Sequence, residues 1–242
     1  MGKIKKTITF VLVAALMFVM SACGSTGGTS STQETSENTE TKQDATDTKD
    51  TTASESEAME ATNRDFTGDS SVLVVYFSRT GEQYTVGVID EGNTAIVAKM
   101  IAEKTGADTF EILPETDYYP YTYAELTDVA KKEQNENARP VIKDTLPDMS
   151  QYDTVFIGAP VWWGDWPMIM YTFFESADLS GKNLIPLSTH EGSGLSGFDK
   201  KLSSAVSDAN VLTGLAIRGN DCQNDKKGVE SKVDEWLSEL GY

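Results

Sequence analysis

Every position from Val72 to Phe77 is apolar or aromatic, so the strand this run predicts must be covered on both faces. Val72, Val74 and Tyr76 fall on one face, and Leu73, Val75 and Phe77 on the other. After Gly92-Asn93-Thr94 the period lengthens. Ala95, Ile96, Ala98, Met100, Ile101 and Ala102 recur as on a covered helix. Further strand-like runs are Ala107 to Leu113, Thr154 to Gly158, Asn183 to Leu187 and Val211 to Ile217. Helical patterns occupy Tyr123 to Asn137, Met168 to Ser176, Phe198 to Ala209 and Lys227 to Leu240, with Pro167 suited to a first helical turn. Buried strands alternating with helices predict an α/β domain over 71–242, with an open parallel sheet covered on both faces. Ligands of such sheets lie beyond the carboxyl ends of the strands, where strand order reverses. Three loops leave strands at that edge: Ser78 to Thr94, Pro160 to Pro167, and Thr189 to Gly197.

Before residue 71 the pattern differs. Lys3, Lys5 and Lys6 precede an apolar stretch from Thr7 to Met20. At roughly 14 residues it is shorter than the roughly 20 a spanning helix needs, so residues 1–22 read as a signal peptide. Met20-Ser21-Ala22-Cys23 resembles a bacterial lipobox, which implies acylation of Cys23 and a lipid anchor on the outer face of the cytoplasmic membrane. The alternative is an ordinary secretory signal with an incidental cysteine. The rest of 23–70 holds Ser, Thr and Glu with few large apolar side chains, and it reads as a disordered tether. From residue 24 onward that tether has 11 acidic and three basic residues, and 71–242 carry −13 of the chain's net −18. So acidic a domain argues against a nucleic-acid partner. Only Cys222 accompanies Cys23, which excludes an internal disulfide scaffold. In its polar stretch, Asn220 to Lys227, it reads as an incidental, exposed thiol.

The loops carry the candidate chemistry. Ser78-Arg79-Thr80-Gly81 and Gly92-Asn93-Thr94 look like two halves of one phosphate-binding loop. Neither half has the lysine with which a P-loop reaches transferable phosphates. Backbone amides and the hydroxyls of Ser78, Thr80 and Thr94 are left to hold a phosphate that stays intact. Pro160-Val161-Trp162-Trp163-Gly164-Asp165-Trp166 places three of the four tryptophans on one loop. Such flat, polarisable surfaces suit a planar heteroaromatic ring, or else cap the sheet edge. Thr189-His190-Glu191-Gly192-Ser193-Gly194 combines exposed amides with the one histidine. His190 is a candidate proton donor or a structural hydrogen-bonding residue. No Ser-His-carboxylate or zinc-ligand spacing is present, so no metal site is expected.

In their order and strand-end placement, Tyr76 to Gly81, Gly92 to Thr94, Ala159 to Gly164 and Thr189 to Gly194 resemble the flavodoxin family, especially its bacterial lipoprotein members. The resemblance implies a flavodoxin-like three-layer sandwich with a five-stranded parallel sheet in the order 2-1-3-4-5, and FMN as cofactor. It sets the phosphate on Ser78, Arg79, Thr80, Gly81, Asn93 and Thr94, and the ring against Pro160, Val161, Trp162, Trp163 and Gly164. Thr189, His190, Glu191, Gly192, Ser193 and Gly194 would meet the ring from the other side. The function implied is electron transfer between a redox-protein or small-molecule donor and an acceptor. Alternatives are an FMN-dependent NAD(P)H:quinone or small-molecule reductase, and a non-catalytic flavin-nucleotide- or protein-binding lipoprotein. Glu82 to Gly92 departs from the family pattern, as an insert that could line a substrate pocket or be a surface flap. Asp117 to Tyr123 offers aromatics for a ring-edge pocket or for locking the next helix. Asp165 and Glu191, if both face the ring, would repel a reduced, anionic flavin.

Overall fold

The computed structural model describes residues 71–242. The expected signal peptide, tether and acylation site at Cys23 lie outside the described residues. The domain starts with strand Val72–Tyr76 (β1), the hairpin Gly81–Gln83 (β2) and Gly87–Ile89 (β3), and helix Asn93–Thr105 (α1). Asp108–Glu111 (β4), Tyr123–Glu136 (α2), Thr154–Pro160 (β5), Met168–Ser176 (α3), Asn183–His190 (β6) and Phe198–Ala205 (α4) then alternate. Asn210–Val211 (β7), Leu215–Arg218 (β8), the short helix Gly219–Asn224 (α5) and Lys226–Leu240 (α6) complete it.

The main sheet runs β4-β1-β5-β6, with β7 and β8 both alongside β6 and every pairing parallel. This is the expected 2-1-3-4-5 order, with the fifth strand in two pieces. Leu184 pairs with Val211 but Leu187 with Leu215, so three steps of β6 are met by four on its neighbour. Such a bulge absorbs one extra residue. Pro186, which has no N–H for the ladder, lies against it. A Cβ at Gly214 would come within 2.6 Å of the Pro186 carbonyl oxygen, so only glycine fits the closest point.

The continuous apolar run of β1 divides between two cores as its alternation predicts. Leu73, Val75 and Phe77 join side chains of α2, α3 and α4. Val72, Val74 and Tyr76 join those of α1, α5 and α6. Full burial of each Leu, Ile or Phe side chain contributes roughly 1.5–3 kcal/mol before entropy is set against it. Cys222 belongs to the second core and is fully buried, not an exposed thiol. Its position on α5 aims it at the sheet although its sequence neighbours are polar, and burial pushes its pKa up to about 12. No helix among the described residues is long and apolar enough to cross a membrane.

Candidate functional site

Because β1, β5 and β6 are neighbours, the loops following them open side by side. The chain leaves β1 for β4 on one side and β5 on the other, which makes the carboxyl end of β1 the switch point. A cleft of about 470 Å³ lies there, within the usual range for small-molecule sites.

Its inner end is made by the split loop, which closes on itself. Ala95, in the first turn of α1, donates its amide to Ser78 Oγ at 3.0 Å. A Cβ at Gly92 would stand 2.1 Å from that Oγ and 2.8 Å from the Arg79 carbonyl oxygen, so the two halves meet only because Gly92 has no side chain. Thr94 Oγ1 and Thr189 Oγ1 share a buried hydrogen bond of 2.7 Å, joining α1 to the end of β6. Asn93 accepts from Gln223 Nε2 on its carboxamide oxygen at 2.8 Å, and its backbone starts α1. Among the described residues, the amides of Asn93 and Thr94 have no protein acceptor. With the dipole of α1 behind them they favour an anion.

Arg79 is the one Lys or Arg in the lining. Its Nη1 donates to both Asp117 carboxylate oxygens at 2.9 and 3.1 Å, and its Nη2 to the Tyr119 carbonyl at 2.9 Å. Nε is buried and finds no acceptor among the described residues. A buried, orphaned guanidinium N–H costs about 1–3 kcal/mol unless a ligand accepts it.

Pro160, Val161, Trp162 and Trp163 form one wall. Trp162 and Asp165 exchange both backbone hydrogen bonds at 2.9 Å around Trp163-Gly164. Both central residues have positive φ, 50° and 75°, as a type I′ turn requires. A bulky residue in that region costs on the order of 1–3 kcal/mol. Several contacts hold Trp163 there: its Nε1 donates to Thr127 O at 2.8 Å, and Lys131 Nζ lies 5.1 Å from its ring centroid. Trp162 is fixed by edge contacts to Phe77 and Tyr119, at 5.4 and 5.3 Å between centroids. Trp166 is not part of the wall. It is buried and stacked on Phe198 at 3.6 Å, so two of the loop's three indoles face the cleft and the third packs the core.

The tyrosine segment divides between its two expected roles. Tyr118 and Tyr119 donate their hydroxyls to Glu133 of α2, Tyr119 at 3.2 Å. Burial raises the Glu133 pKa above its ordinary 4.5, against the pull of these bonds. They lock α2 to the sheet, while Tyr123 lines the cleft. The insert forms the β2–β3 hairpin and docks on the same helix. Glu82 accepts the Tyr123 amide at 2.8 Å, as an N-cap would. Tyr84 stacks on Tyr123 at 5.5 Å and 29°. Gln83, Tyr84 and Val86 therefore line the cleft, which answers the choice between flap and pocket wall in favour of the wall.

Ser78, Arg79, Asn93, Thr94, Pro160, Val161, Trp162, Trp163, Thr189, His190, Glu191 and Ser193 all reach the lining. Thr80, Gly81, Gly164, Gly192 and Gly194 do not. Thr80 is exposed where the chain turns away into β2, Gly81 begins that strand, and the other glycines take positive φ in the turns of their loops. The segment Asp117 to Tyr123 offered Tyr123 for a ring-edge pocket, whereas Leu126, Thr127 and Ala130 of α2, and Gly219, were not among the expected site residues. The four on α2 stand at i, i+3, i+4 and i+7, one helical stripe, and that spacing was the available signal.

The two carboxylates expected near the ring behave differently. Asp165 is outside the lining and accepts the Tyr171 hydroxyl at 2.9 Å. Glu191 lines the cleft but is paired with Arg218 at 2.9 Å and accepts the Asn220 amide at 2.7 Å, which offsets its charge. His190 Nδ1 accepts the Gly192 amide at 2.9 Å, so the neutral ring carries its proton on Nε2. Burial pulls its pKa below the ordinary 6.5, Glu191 partly opposing. Among the described residues no three His, Cys, Asp or Glu side chains cluster as metal ligands.

A doubly wound parallel sheet with an anion-suited helix start and an aromatic wall at its switch point defines a nucleotide-type α/β class. Within that class the flavodoxin family profile matches residues 71–237, and the chain belongs to that family. A candidate flavoprotein from Bacteroides uniformis is similar at 30% identity, covering 69% of this chain and 97% of its own, with a TM-score of 0.54. Another, from Bacteroides eggerthii, is 31% identical over 67% of this chain and 95% of its own, with a TM-score of 0.52. A flavoprotein from Lactobacillus acidophilus in complex with FMN is 20% identical over 64% and 96%, with a TM-score of 0.49. No functionally curated protein matches the chain.

Proposed function

We propose that this protein is an FMN-binding electron-transfer flavoprotein, acylated at Cys23 and held on the outer face of the bacterial cytoplasmic membrane. There it takes electrons from a redox-protein or small-molecule donor and passes them to an acceptor. The observation that carries the cofactor reading is the inner end of the cleft. The buried Arg79 Nε and the amides of Asn93 and Thr94 are donors with no protein acceptor among the described residues, and the Arg79 backbone packs directly against Gly92, the residue before Asn93. A phosphate monoester satisfies that donor set. Trp162, Pro160 and the Thr189 to Ser193 segment supply flat and polar surfaces for a ring. The residues therefore fit FMN.

Bound there, the isoalloxazine supplies the redox chemistry, and the protein binds it, orients it and tunes its potential. Arg79, Ser78 and the start of α1 would hold the phosphate. The Trp162-Trp163 turn and the His190 loop would orient the ring. The Arg218–Glu191 pair would lessen the carboxylate's repulsion of a reduced ring. Purified full-length protein is expected to retain or take up about one FMN per chain, with absorbance that bleaches reversibly on anaerobic reduction. No retention after reconstitution overturns the reading.

The anchor rests on the sequence pattern ahead of Cys23 and on the length of polar chain that follows it. Labelling with a fatty-acid analogue should mark the wild type and not Cys23→Ser, which should leave the membrane fraction. An unlabelled wild type would make the leader an ordinary secretory one. A second reading, an FMN-dependent reductase, is favoured by one observation: the cleft continues past Trp162 between the hairpin and α2.

A further inference from the structure

Seven lining residues come from the hairpin and the helix it docks on: Gln83, Tyr84 and Val86 of the hairpin, and Tyr123, Leu126, Thr127 and Ala130 of α2. They make a mostly apolar compartment whose aromatic faces are unusually open. Tyr84 is 56% exposed, Tyr123 37% and Trp163 53%, all around one cavity. Scattered exposed aromatics need no explanation, but a group converging on a cleft marks a binding surface. Nor are these loose side chains. Tyr84 and Tyr123 stack on each other, Glu82 ties the hairpin to the first amide of α2, and Trp163 keeps a left-handed backbone to reach Thr127.

We infer that the compartment between the β2–β3 hairpin and α2 is a second ligand subsite, taking a planar, electron-poor aromatic molecule beside the flavin. The inference rests on the FMN reading of the same cleft. Tyrosine and indole faces carry the negative part of the ring quadrupole, and so attract a ring depleted of electrons by carbonyl or nitro groups. Leu126, Ala130 and Val86 give the apolar floor. The insert thereby has a role: it supplies an aromatic wall that the phosphate loop does not require.

The probe is menadione, an electron-poor naphthoquinone, dialysed to equilibrium against oxidised, FMN-loaded full-length protein, with FMN affinity measured in parallel. Saturable binding is expected, weakened about tenfold by Tyr84→Ala while FMN affinity stays within about twofold. Val88→Ala, on the same hairpin but outside the lining, should change neither. Non-saturable binding, or an unaffected Tyr84→Ala, overturns the subsite. So does a Tyr84→Ala variant that loosens FMN as much as menadione, because the aromatics would then be serving the flavin. If the wild type holds no FMN, the earlier reading fails instead, and the same dialysis on the FMN-free protein still decides the subsite.

Discussion

At the inner end of the cleft, Gly92 lets Ser78 Oγ approach to where a Cβ would be 2.1 Å away, and the Thr94–Thr189 pair is sealed from water. At the outer end, Tyr84 and Trp163 leave half or more of their surface in solvent. The first end is backbone, small hydroxyls and close packing. The second is large side chains on a hairpin and a strained turn. Tolerance therefore lies at the outer end: the inner end is part of what folds the domain, whereas the outer end is mounted on it.

Substitutions should separate the two ends by the size of their effects. Gly92→Ala drives a methyl into Ser78 and Arg79, and it should cost about 1–3 kcal/mol of stability through overpacking and abolish FMN retention. Unchanged retention would mean that the loop halves need not meet. Thr94→Val leaves the Thr189 hydroxyl without its partner, and should cost about 1–3 kcal/mol by denaturant titration. The outer-end change Tyr84→Ala should stay within about 0.5 kcal/mol. Similar losses at both would erase the contrast.

The smallest effect falls at His190, between the ends. Its folded pKa lies below 6.5, so under that pH the unfolded chain binds the proton more readily. Its contribution to stability is therefore full at neutral pH and is lost as the pH falls below 6.5. An NMR titration should give a midpoint under 6.5, with Nε2 protonated above it. A midpoint above 6.5 would reverse the sign, and would place His190 under the control of Glu191 rather than of burial.

Much of this was legible in the chain, in proportion to how strictly physics ties a residue to a place. Every side chain of β1 is apolar or aromatic, so both faces had to be covered, and α3 keeps its expected limits, Met168–Ser176. The fifth strand broke where pattern alone reads through, because the cause lies on β6 at Pro186. The hairpin strands span three residues each, too few for alternation to register. The α2 stripe was visible as a stripe, but only tertiary placement tells whether such a face meets core or cleft. Trp166 and Trp162 are alike in sequence and opposite in fate for the same reason.

Cys222 has a consequence for how electrons can be counted. Its sulfur is fully buried and its thiol is pushed up to about 12, so at neutral pH it offers no thiolate for disulfide exchange or oxidation. No other cysteine occurs in 71–242. The folded domain is redox-silent in its one thiol: it can sit in an oxidising compartment without cross-linking through it. Reducing equivalents titrated into the loaded domain have no cysteine there to reach, so the stoichiometry reads the cofactor.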